Sequence, residues 1–347
     1  MRLTLSELVL VIMALACIAC SRQVDETVPI RSSAEQTALA EIGKSIFNDT
    51  VFSKNRDISC ASCHRARHGF ADPRPVSIGT AGSIGTRNAP SLIGLTQQRS
   101  FFWDGRESDV HLAVINAMTN PVEMGLGSAS DVVMRLRQDR RYANLVYAHE
   151  SASLNAVAEA LIAYLDSLPA SNSDFDRYRS NGDPSALSID QRTGLDLFKG
   201  KAGCGQCHRS DGGSFTDHAF HHTGIGFSSV SGELTRVIER LGERRISGRV
   251  PLGHIVLADA GISQLGRFAV SDDPREIGAF KTPSLKNVAA TPPYMHDGSI
   301  ATLEEAVDRE IYYRGLNRNS PINLSLAERA QLIAFLHALS DKVPAGK

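Results

Sequence analysis

Hydrophobic residues recur with helical spacing at matched places in the two halves of this 347-residue chain. Apolar side chains three and four positions apart indicate amphipathic helices at residues 161–168 (LIAYLDSL) and 332–339 (LIAFLHAL). Earlier in each half, a glycine precedes an aromatic residue by four positions, in residues 43–47 (GKSIF) and 194–198 (GLDLF). Each of these pairs shares one face of a predicted helix. The pattern therefore predicts two copies of one helical plan.

Polar residues separate the two copies. Ser, Asn, Asp and Gly are frequent from residue 170 to residue 190, which is typical of a connecting segment, and Pro169 stops the preceding apolar stretch. We therefore predict a mainly α fold with an N-terminal domain at residues 36–169, a linker at 170–190 and a C-terminal domain at 191–347.

The first residues of the chain have the composition of an export signal. Arg2 precedes an apolar run at residues 8–19, which is too short to form a stable membrane span. The run ends in IACS, which resembles a bacterial lipoprotein box. We predict a lipoprotein-type signal peptide at 1–20, acylation of Cys20, a polar tether at 21–35 and a periplasmic location. Secretion as a soluble protein without an anchor is the alternative.

The charge balance excludes one class of partner. The formal net charge is −1, so no polyanionic partner is indicated and we predict no binding to nucleic acid. Contact with a membrane is expected only through the lipid anchor.

Four of the six cysteines fall into two C-x-x-C-H patterns. This pattern is typical of covalent c-type haem attachment, in which both thiols bond to the haem and the adjacent histidine binds its iron. A zinc ribbon would place its cysteine pairs roughly 15–20 residues apart, whereas these start 144 residues apart. A thioredoxin-like redox pair needs a βαβ context that the chain lacks. The predicted attachment residues are Cys60, Cys63 and His64 in the first half, and Cys204, Cys207 and His208 in the second.

Each half thus has the order helix, haem-attachment loop, irregular middle and terminal helix. This order resembles the cytochrome c fold, in which a glycine in the first helix lets it cross the last helix closely. We therefore predict two cytochrome c-like domains, each with one covalent c-type haem.

Further motifs lie between and after the haem-attachment sites. They are RNAPS at 87–91, FWDGR at 102–106, NPVEMG at 120–125, FTD at 215–217, and KTPSLKN at 281–287 followed by PYMHDGS at 293–299. Together they resemble the bacterial di-haem cytochrome c peroxidases and their MauG-type relatives, including MbnH-like enzymes. The resemblance covers nearly all of the chain after about residue 36.

The resemblance implies three roles around the first haem. In many such peroxidases, a histidine sixteen residues after the proximal histidine caps the iron. Here that position is Thr80, so the distal side of the haem bound by His64 is expected to be open. Glu123 matches the distal glutamate that takes a proton from bound peroxide and returns it to the departing oxygen. Trp103, the sole tryptophan, matches an electron relay between the two haems.

The sixth ligand of the second haem, whose proximal ligand is His208, has three candidates. Met295 is the only methionine in the second half, and a thioether opposite histidine suits electron transfer. In relatives the ligand follows a Thr-Leu-Glu-Glu helix. Counting without a gap reaches Glu310, and anchoring on the following Arg-Gly reaches Tyr312. We prefer Tyr312, with Met295 and Glu310 as alternatives.

The resemblance also implies a calcium site. Relatives bind calcium between their domains through an Asn side chain and backbone carbonyls, an all-oxygen ligand set that suits this ion. The matching residues here are Asn88, Thr291 and Pro293. One Ca²⁺ is therefore expected beside the two haems.

Three functions are consistent with these motifs. The leading hypothesis is a peroxidase that reduces hydrogen peroxide at the N-terminal haem, with electrons relayed through the C-terminal haem from a small cytochrome c or cupredoxin. The first alternative is a MauG- or MbnH-like enzyme that uses peroxide to oxidise side chains, such as tryptophan, of a partner protein. The alternative of another class is a di-haem electron carrier without catalysis.

One segment, residues 228–264, lies outside the family motifs. It contains a basic cluster at Arg236, Arg240, Arg244, Arg245 and Arg249. We interpret this cluster as a solvated helical face in preference to a docking surface for a redox partner.

Overall fold

The computed structural model describes residues 32–169, 172–246, 250–317 and 320–341. The predicted signal peptide, Cys20 and most of the predicted tether lie outside these residues. Within the described part of the chain, no helix combines the length and the apolar composition needed to cross a membrane. The described residues from Thr37 onward form one compact unit.

The described chain is mainly helical. The helices of its first half are α1 (Ser33–Asn48), α2 (Cys60–Cys63), α3 (Val110–Thr119), α4 (Ala129–Gln138) and α5 (Glu150–Asp166). Those of its second half are α6 (Asp174–Asn181), α7 (Ile189–Lys199), α8 (Leu234–Ile246), α9 (Leu252–Ala258), α10 (Ala260–Ser263), α11 (Phe268–Ser271), α12 (Leu303–Asn317) and α13 (Leu326–His337). Two short strands, β1 (Phe220–His222) and β2 (Ala279–Lys281), pair antiparallel with His221 opposite Phe280. Short 3-10 turns and loops connect these elements.

Glycine lets two pairs of helices cross closely, one pair in each half. An ideal Cβ atom on Gly43 in α1 would lie 1.8 Å from the carbonyl oxygen of Ala160 in α5. An ideal Cβ atom on Gly194 in α7 would lie 2.0 Å from the carbonyl oxygen of Gln331 in α13. Since real Cβ atoms essentially never come within 3.0 Å of other heavy atoms, only glycine fits at either crossing. The predicted repetition of one helical plan is therefore confirmed.

The aromatic residues four positions after these glycines pack onto the partner helix. Phe47 meets Tyr164 of α5, and Phe198 meets Phe335 of α13, with 5.2 Å between ring centroids in both pairs. Each crossing is covered by its own apolar cluster, so the two halves have separate cores.

The stretch predicted as a linker is partly helical. Ser173 and Asp176 form a capping box at the start of α6. Phe175, 4% exposed, packs against Phe215 with 5.0 Å between ring centroids. The polar residues that suggested a linker therefore include the caps of a helix, and residues from Ser173 onward contribute to the second core.

Residues 228–264 form a third apolar cluster between α8, α9 and α10. Val237 and Leu241 from α8 pack with Ile255 and Val256 from α9, and each of the four is at most 2% exposed. The segment is therefore a folded layer with its own core.

The basic cluster of this segment makes structural contacts. Arg240 and Arg244 pair with Asp259 at the start of α10, and Arg245 pairs with Asp272 at the end of α11. These ion pairs join α8 to the helices that follow it. Arg249 lies outside the described residues.

Candidate active site

The two haem-attachment motifs lie on tight helical turns. Ser59 and Ser62 form a capping box at the start of α2, which carries the first cysteine pair. The second motif begins on a 3-10 turn, Cys204–Gln206. Within the described residues, the four motif cysteines form no disulfide with one another, as attachment to a haem requires.

A backbone carbonyl orients each motif histidine. His64 Nδ1 lies 3.0 Å from the carbonyl oxygen of Phe70, and His208 Nδ1 lies 2.9 Å from that of Phe215. When Nδ1 donates to a carbonyl, a neutral imidazole leaves Nε2 as the nitrogen that binds a metal. Burial lowers the pKa of His64, and it lowers the pKa of His208 to about 4. Both rings therefore favour the neutral form that iron binding requires.

A local repeat that the sequence analysis missed supports these histidines. Phe70 begins the tripeptide FAD and Phe215 begins FTD, and their φ angles are 58° and 53°. Positive φ is uncommon for a bulky residue, so the two haem loops share the same unusual turn. A second repeat, PSL, occurs at residues 90–92 and 283–285. An alignment of the two halves on F-x-D and P-S-L would have revealed both repeats in the sequence.

A cavity of about 540 Å³ lies at the second motif. Cys204, Cys207 and His208 line it, and Leu332 and Leu336 of α13 contribute an apolar wall. Cofactor pockets typically have volumes of about 300–1,000 Å³ and mostly apolar walls. The residues present therefore fit a covalently attached haem.

Two of the three candidate sixth ligands line this cavity. They are Met295 and Glu310, and the Glu310 carboxylate contacts Arg314 Nε at 3.1 Å. Burial in the cavity wall raises the pKa of Glu310.

Tyr312 is not among the lining residues and is 60% exposed. Two positions along a helix correspond to a rotation of about 200°, so the helix face that turns Glu310 inward turns Tyr312 outward. This placement does not support Tyr312 as the ligand, and we correct the preference accordingly.

Glu123 lies in a turn that backbone hydrogen bonds fix to Asn120 and Thr80. Its amide donates to the carbonyl of Asn120 at 3.0 Å, and its carbonyl accepts from the amide of Thr80 at 2.9 Å. The next residue, Met124, places its Sδ atom 3.9 Å from Sγ of Cys60. The turn therefore brings Glu123 beside the first haem-attachment motif.

The Glu123 carboxyl group is buried without a full set of partners. Among the described residues, its Oε2 atom has no hydrogen-bond partner. Burial raises the pKa of Glu123 to about 7, against a smaller opposing effect from the positive charge of Arg106. A carboxyl group with a pKa near neutrality accepts and returns a proton readily, which suits general acid–base catalysis.

Thr80, where relatives carry a capping histidine, has its hydroxyl engaged elsewhere. The hydroxyl donates to Oδ1 of Asp57 at 2.8 Å, and the amide of Ala81 donates to Oδ2 of the same carboxylate at 2.8 Å. Thr80 is 3% exposed. The side chain is thus held as part of the loop, which favours the predicted open distal side.

Trp103 links the two halves. Its indole Nε1 donates to the carbonyl of Asn88 at 2.9 Å, and its own carbonyl accepts from the amide of Lys281 in β2 at 2.8 Å. The residue also lines the 540 Å³ cavity at the second motif. Trp103 thus contacts both halves of the chain, and its role as a relay stays a prediction.

Asn88, Thr291 and Pro293, the residues predicted to bind calcium, line the same cavity. The side-chain amide of Asn88 contacts the carbonyl oxygens of Asp72 and Arg74 at 3.3 and 2.9 Å. In these two contacts the Asn88 amide nitrogen is the donor and the backbone carbonyl oxygens accept. The calcium site stays a prediction.

Two haem-attachment motifs, two oriented histidines and a buried carboxyl group beside the first motif define a di-haem c-type oxidoreductase. Comparisons with known proteins agree. Residues 37–185 match the family model CCP_MauG, described as di-haem cytochrome c peroxidase. Cytochrome-c peroxidase IdrP2 of Denitromonas iodatirespirans is 34% identical over 319 residues, which cover 90% of this chain and 84% of that protein.

Two further relatives extend the comparison. The methylamine utilization protein MauG of Methylorubrum extorquens is 30% identical over 309 residues, which cover 86% of this chain and 77% of that protein. The crystal structure of a MauG-like protein associated with microbial copper homeostasis superimposes with a TM-score of 0.69 at 27% identity, covering 92% of this chain and 95% of that one. The chain belongs to the di-haem cytochrome c peroxidase and MauG family. The predictions of a mainly helical di-haem fold and of a peroxide-dependent oxidoreductase are thereby confirmed.

Proposed function

We propose that this protein reduces hydrogen peroxide at the first haem site, with electrons from an external small cytochrome c or cupredoxin. The observation that carries the proposal is the buried Glu123 carboxyl group. Its Oε2 atom has no partner among the described residues, and the adjacent residue, Met124, contacts Cys60. When held by Cys60, Cys63 and His64, a haem supplies an iron centre that binds peroxide and takes part in cleaving its O–O bond.

Glu123 moves the proton in this proposal. Its Oε2 atom accepts a proton from the near oxygen of peroxide and then delivers it to the departing oxygen, which leaves as water. The Thr80 hydroxyl stays bonded to Asp57, so it does not compete for the same space.

Trp103 provides the connection to the second site. Its backbone is joined to β2 through Lys281, and its side chain contacts Asn88 while lining the second cavity. We assign it the role of relaying electrons from the second site to the first.

We propose Glu310 as the second protein ligand of the haem held by His208. The count without a gap and the cavity placement both favour it, and Arg314 orients its carboxylate. Optical absorption of the oxidised protein tests this assignment. Glu310→Gln is expected to alter the spectrum of the second haem, and Met295→Ala is expected to leave it unchanged. A near-infrared thioether-to-iron band that disappears in Met295→Ala would instead identify Met295 as the ligand.

The peroxidase proposal is favoured over protein modification for a specific reason. An open first site and a tyrosine ligand at the second haem would both favour the MauG- or MbnH-like alternative, because MauG-type relatives use tyrosine at that position. The Thr80 side chain, held by Asp57, is consistent with an open first site. Tyr312, however, is exposed, so its position does not support a tyrosine ligand at the second haem.

Addition of peroxide to the purified holoprotein, in the presence of a reduced small cytochrome c, tests the proposed function. Two molecules of this one-electron donor are expected to be oxidised for each peroxide consumed. Bleaching without donor oxidation contradicts the proposal. Oxidised tryptophan in an added partner protein, without donor turnover, identifies the modifying alternative, and two unreactive low-spin haems identify an electron carrier.

We also propose export to the periplasm with a lipid anchor at Cys20, on the support of the N-terminal sequence. Fractionation of cells that express the wild-type protein and Cys20→Ala tests this. The variant is expected in the soluble periplasmic fraction and the wild-type protein in the membrane fraction. Identical distributions of the two proteins would contradict the anchor.

We further propose one Ca²⁺ at Asn88, on the support of the family resemblance at Asn88, Thr291 and Pro293 and of their position in the lining of one cavity. Treatment with EGTA is expected to lower the melting temperature of the holoprotein, and Ca²⁺ is expected to restore it better than Mg²⁺. An unchanged melting temperature would contradict the site.

A further inference from the structure

A second cavity, of about 70 Å³, lies beside Glu123. One side of it comes from the first half of the chain and includes Arg106, Asn116 and Asn120. The opposite side is formed by residues 251–254 (PLGH), which belong to the segment outside the family motifs. His254 therefore faces the same small space as the proposed acid–base group.

The segment is held firmly in this position. Residues Ile255 and Val256, directly after His254, are buried in the third apolar cluster. The Thr86 hydroxyl donates to the carbonyl of Val256 at 2.9 Å, and Arg87 Nε donates to Ser263 Oγ at 2.6 Å. Contacts from the first half thus fix the wall that carries His254.

Arg106 and Gly253 set the distance between the two walls. The Arg106 guanidinium lies 3.6 Å from the Phe102 ring centroid and donates to both carboxylate oxygens of Asp104 at 3.0 Å. An ideal Cβ atom on Gly253 would lie 3.0 Å from Arg106 Nε, so the absence of a side chain there allows close contact. This contact brings the neighbouring His254 to the cavity.

The other polar side chains of the cavity are largely engaged. Asn116 Nδ2 donates to Glu107 Oε1 at 2.7 Å, and Asn120 Oδ1 accepts from the amide of Val122 at 3.1 Å. Among the residues that line this cavity, Glu123 contributes a buried Oε2 atom without a hydrogen-bond partner. Burial and the charge of Arg106 lower the pKa of His254, so its ring is neutral at pH 7 and carries both a donor and an acceptor nitrogen.

The size of the cavity restricts its occupant. A water molecule needs at least about 10–15 Å³ of such volume, so 70 Å³ accommodates a few water-sized molecules and excludes an aromatic electron donor. The walls offer a carboxyl group and an imidazole, which match a small neutral molecule with both donor and acceptor oxygens. Hydrogen peroxide has this chemistry.

We propose that His254 is a further substrate-contacting residue, which hydrogen-bonds hydrogen peroxide in this cavity and holds it against Glu123. The proposal rests on the proposed peroxidase function. It assigns a role to residues 251–254, which lie outside the sequence motifs, and it makes this segment part of the active site.

Stopped-flow measurement of the reaction of the oxidised holoprotein with peroxide tests the proposal, together with the equilibrium affinity for cyanide followed by absorption. His254→Leu removes the hydrogen bond, and His254→Gln retains a donor and an acceptor. His149→Leu is the matched control, because His149 is exposed at the start of α5. Circular dichroism and the melting temperature establish that each variant is folded.

We expect His254→Leu to lower the rate constant for peroxide about tenfold and to weaken cyanide binding by a similar factor, the size of one lost hydrogen bond. His254→Gln is expected to keep most of the peroxide rate constant and most of the cyanide affinity. His149→Leu is expected to match the wild-type protein in both. Wild-type values in folded His254→Leu would overturn the proposal, as would equal losses in both His254 variants. A wild-type protein that does not react with peroxide would contradict the proposed function instead.

Discussion

The two halves of the molecule share a scaffold and differ in the carboxyl group that each presents to its haem site. Each half has a glycine crossing, a C-x-x-C-H motif and a histidine held by a phenylalanine carbonyl. In the first half Glu123 is buried with an unpaired oxygen, whereas in the second Glu310 is held by Arg314. An unpaired buried carboxyl group is available to accept and return a proton, and a paired one is held in a fixed orientation. In the proposed function, one helical frame serves proton chemistry in the first half and electron transfer in the second.

Of the substitutions considered, replacement of Glu123 by Gln is expected to have the largest effect, because it removes the carboxyl group that distinguishes the first half from the second. The variant keeps the shape of the side chain but loses the group that accepts a proton, so kcat/KM for peroxide is expected to fall by about 10²- to 10⁴-fold. Glu243→Gln on the exposed surface of α8 is the control and is expected to keep wild-type activity. Comparable kcat/KM values for Glu123→Gln and Glu243→Gln would show that the halves do not differ in proton chemistry.

Substitutions at the two glycine crossings test whether the scaffold is equivalent in both halves. Gly43→Ala and Gly194→Ala each place a Cβ atom against a backbone carbonyl, so each is expected to cost about 3 kcal/mol of unfolding free energy. Gly242→Ala in α8 is the control, because nothing lies within 4 Å of its ideal Cβ atom, and it is expected to be neutral or stabilising. Denaturant unfolding measures all three, and a large difference between the first two would show that one crossing is looser.

The pH dependence is expected to come from the first half. Because the pKa of Glu123 is raised to about 7, the rate of reaction with peroxide should rise about tenfold per pH unit below 7 and level off above it.

Glu123 is also expected to make the unfolding free energy depend on pH, in the direction opposite to the reaction rate. Folded Glu123 keeps its proton up to about pH 7, and the unfolded chain loses it near 4.5, so unfolding free energy falls as pH rises through that window. Glu123→Gln should remove both dependences. A wild-type profile that is flat between pH 5 and 8 would contradict them.

The smallest expected effect comes from the link between the halves. Trp103→Phe keeps an aromatic ring but removes the hydrogen bond to Asn88, so steady-state donor turnover is expected to fall on the order of tenfold. The direct reaction of peroxide with the oxidised protein should not change. Phe101→Leu, a conservative change at a neighbouring buried residue, is the control for packing effects. Loss of the direct peroxide reaction in Trp103→Phe would place Trp103 in the first site and not in the relay.

Several features could be predicted from the sequence because they depend on short, repeated patterns. Gly43 and Gly194 stand four residues before Phe47 and Phe198. This spacing predicted that each pair shares one helix face, and the resemblance to the cytochrome c fold implied both crossings. The stretch predicted as a linker contains α6, because Ser173 and its neighbours are equally suited to cap a helix.

Other features depended on which face of a helix turns inward. Glu310 and Tyr312 lie two residues apart. In the sequence, the choice of sixth ligand between them depends only on whether the alignment with relatives contains a gap. The structure shows which of the two faces the second cavity, because packing of α12 buries Glu310 in the cavity wall and exposes Tyr312.

The sequence by itself determined the two haem-attachment motifs, the repeated helical plan and the family, since these reside in adjacent residues and in covalent chemistry. Only the tertiary structure decided that His254 faces the same cavity as Glu123, 131 residues away along the chain. The sequence of residues 228–264 shows an amphipathic, arginine-rich segment, and no local pattern encodes what its polar residues meet. The position of His254 opposite Glu123 depends on the packing of residues 228–264 against the first half, so it arises only when the chain folds.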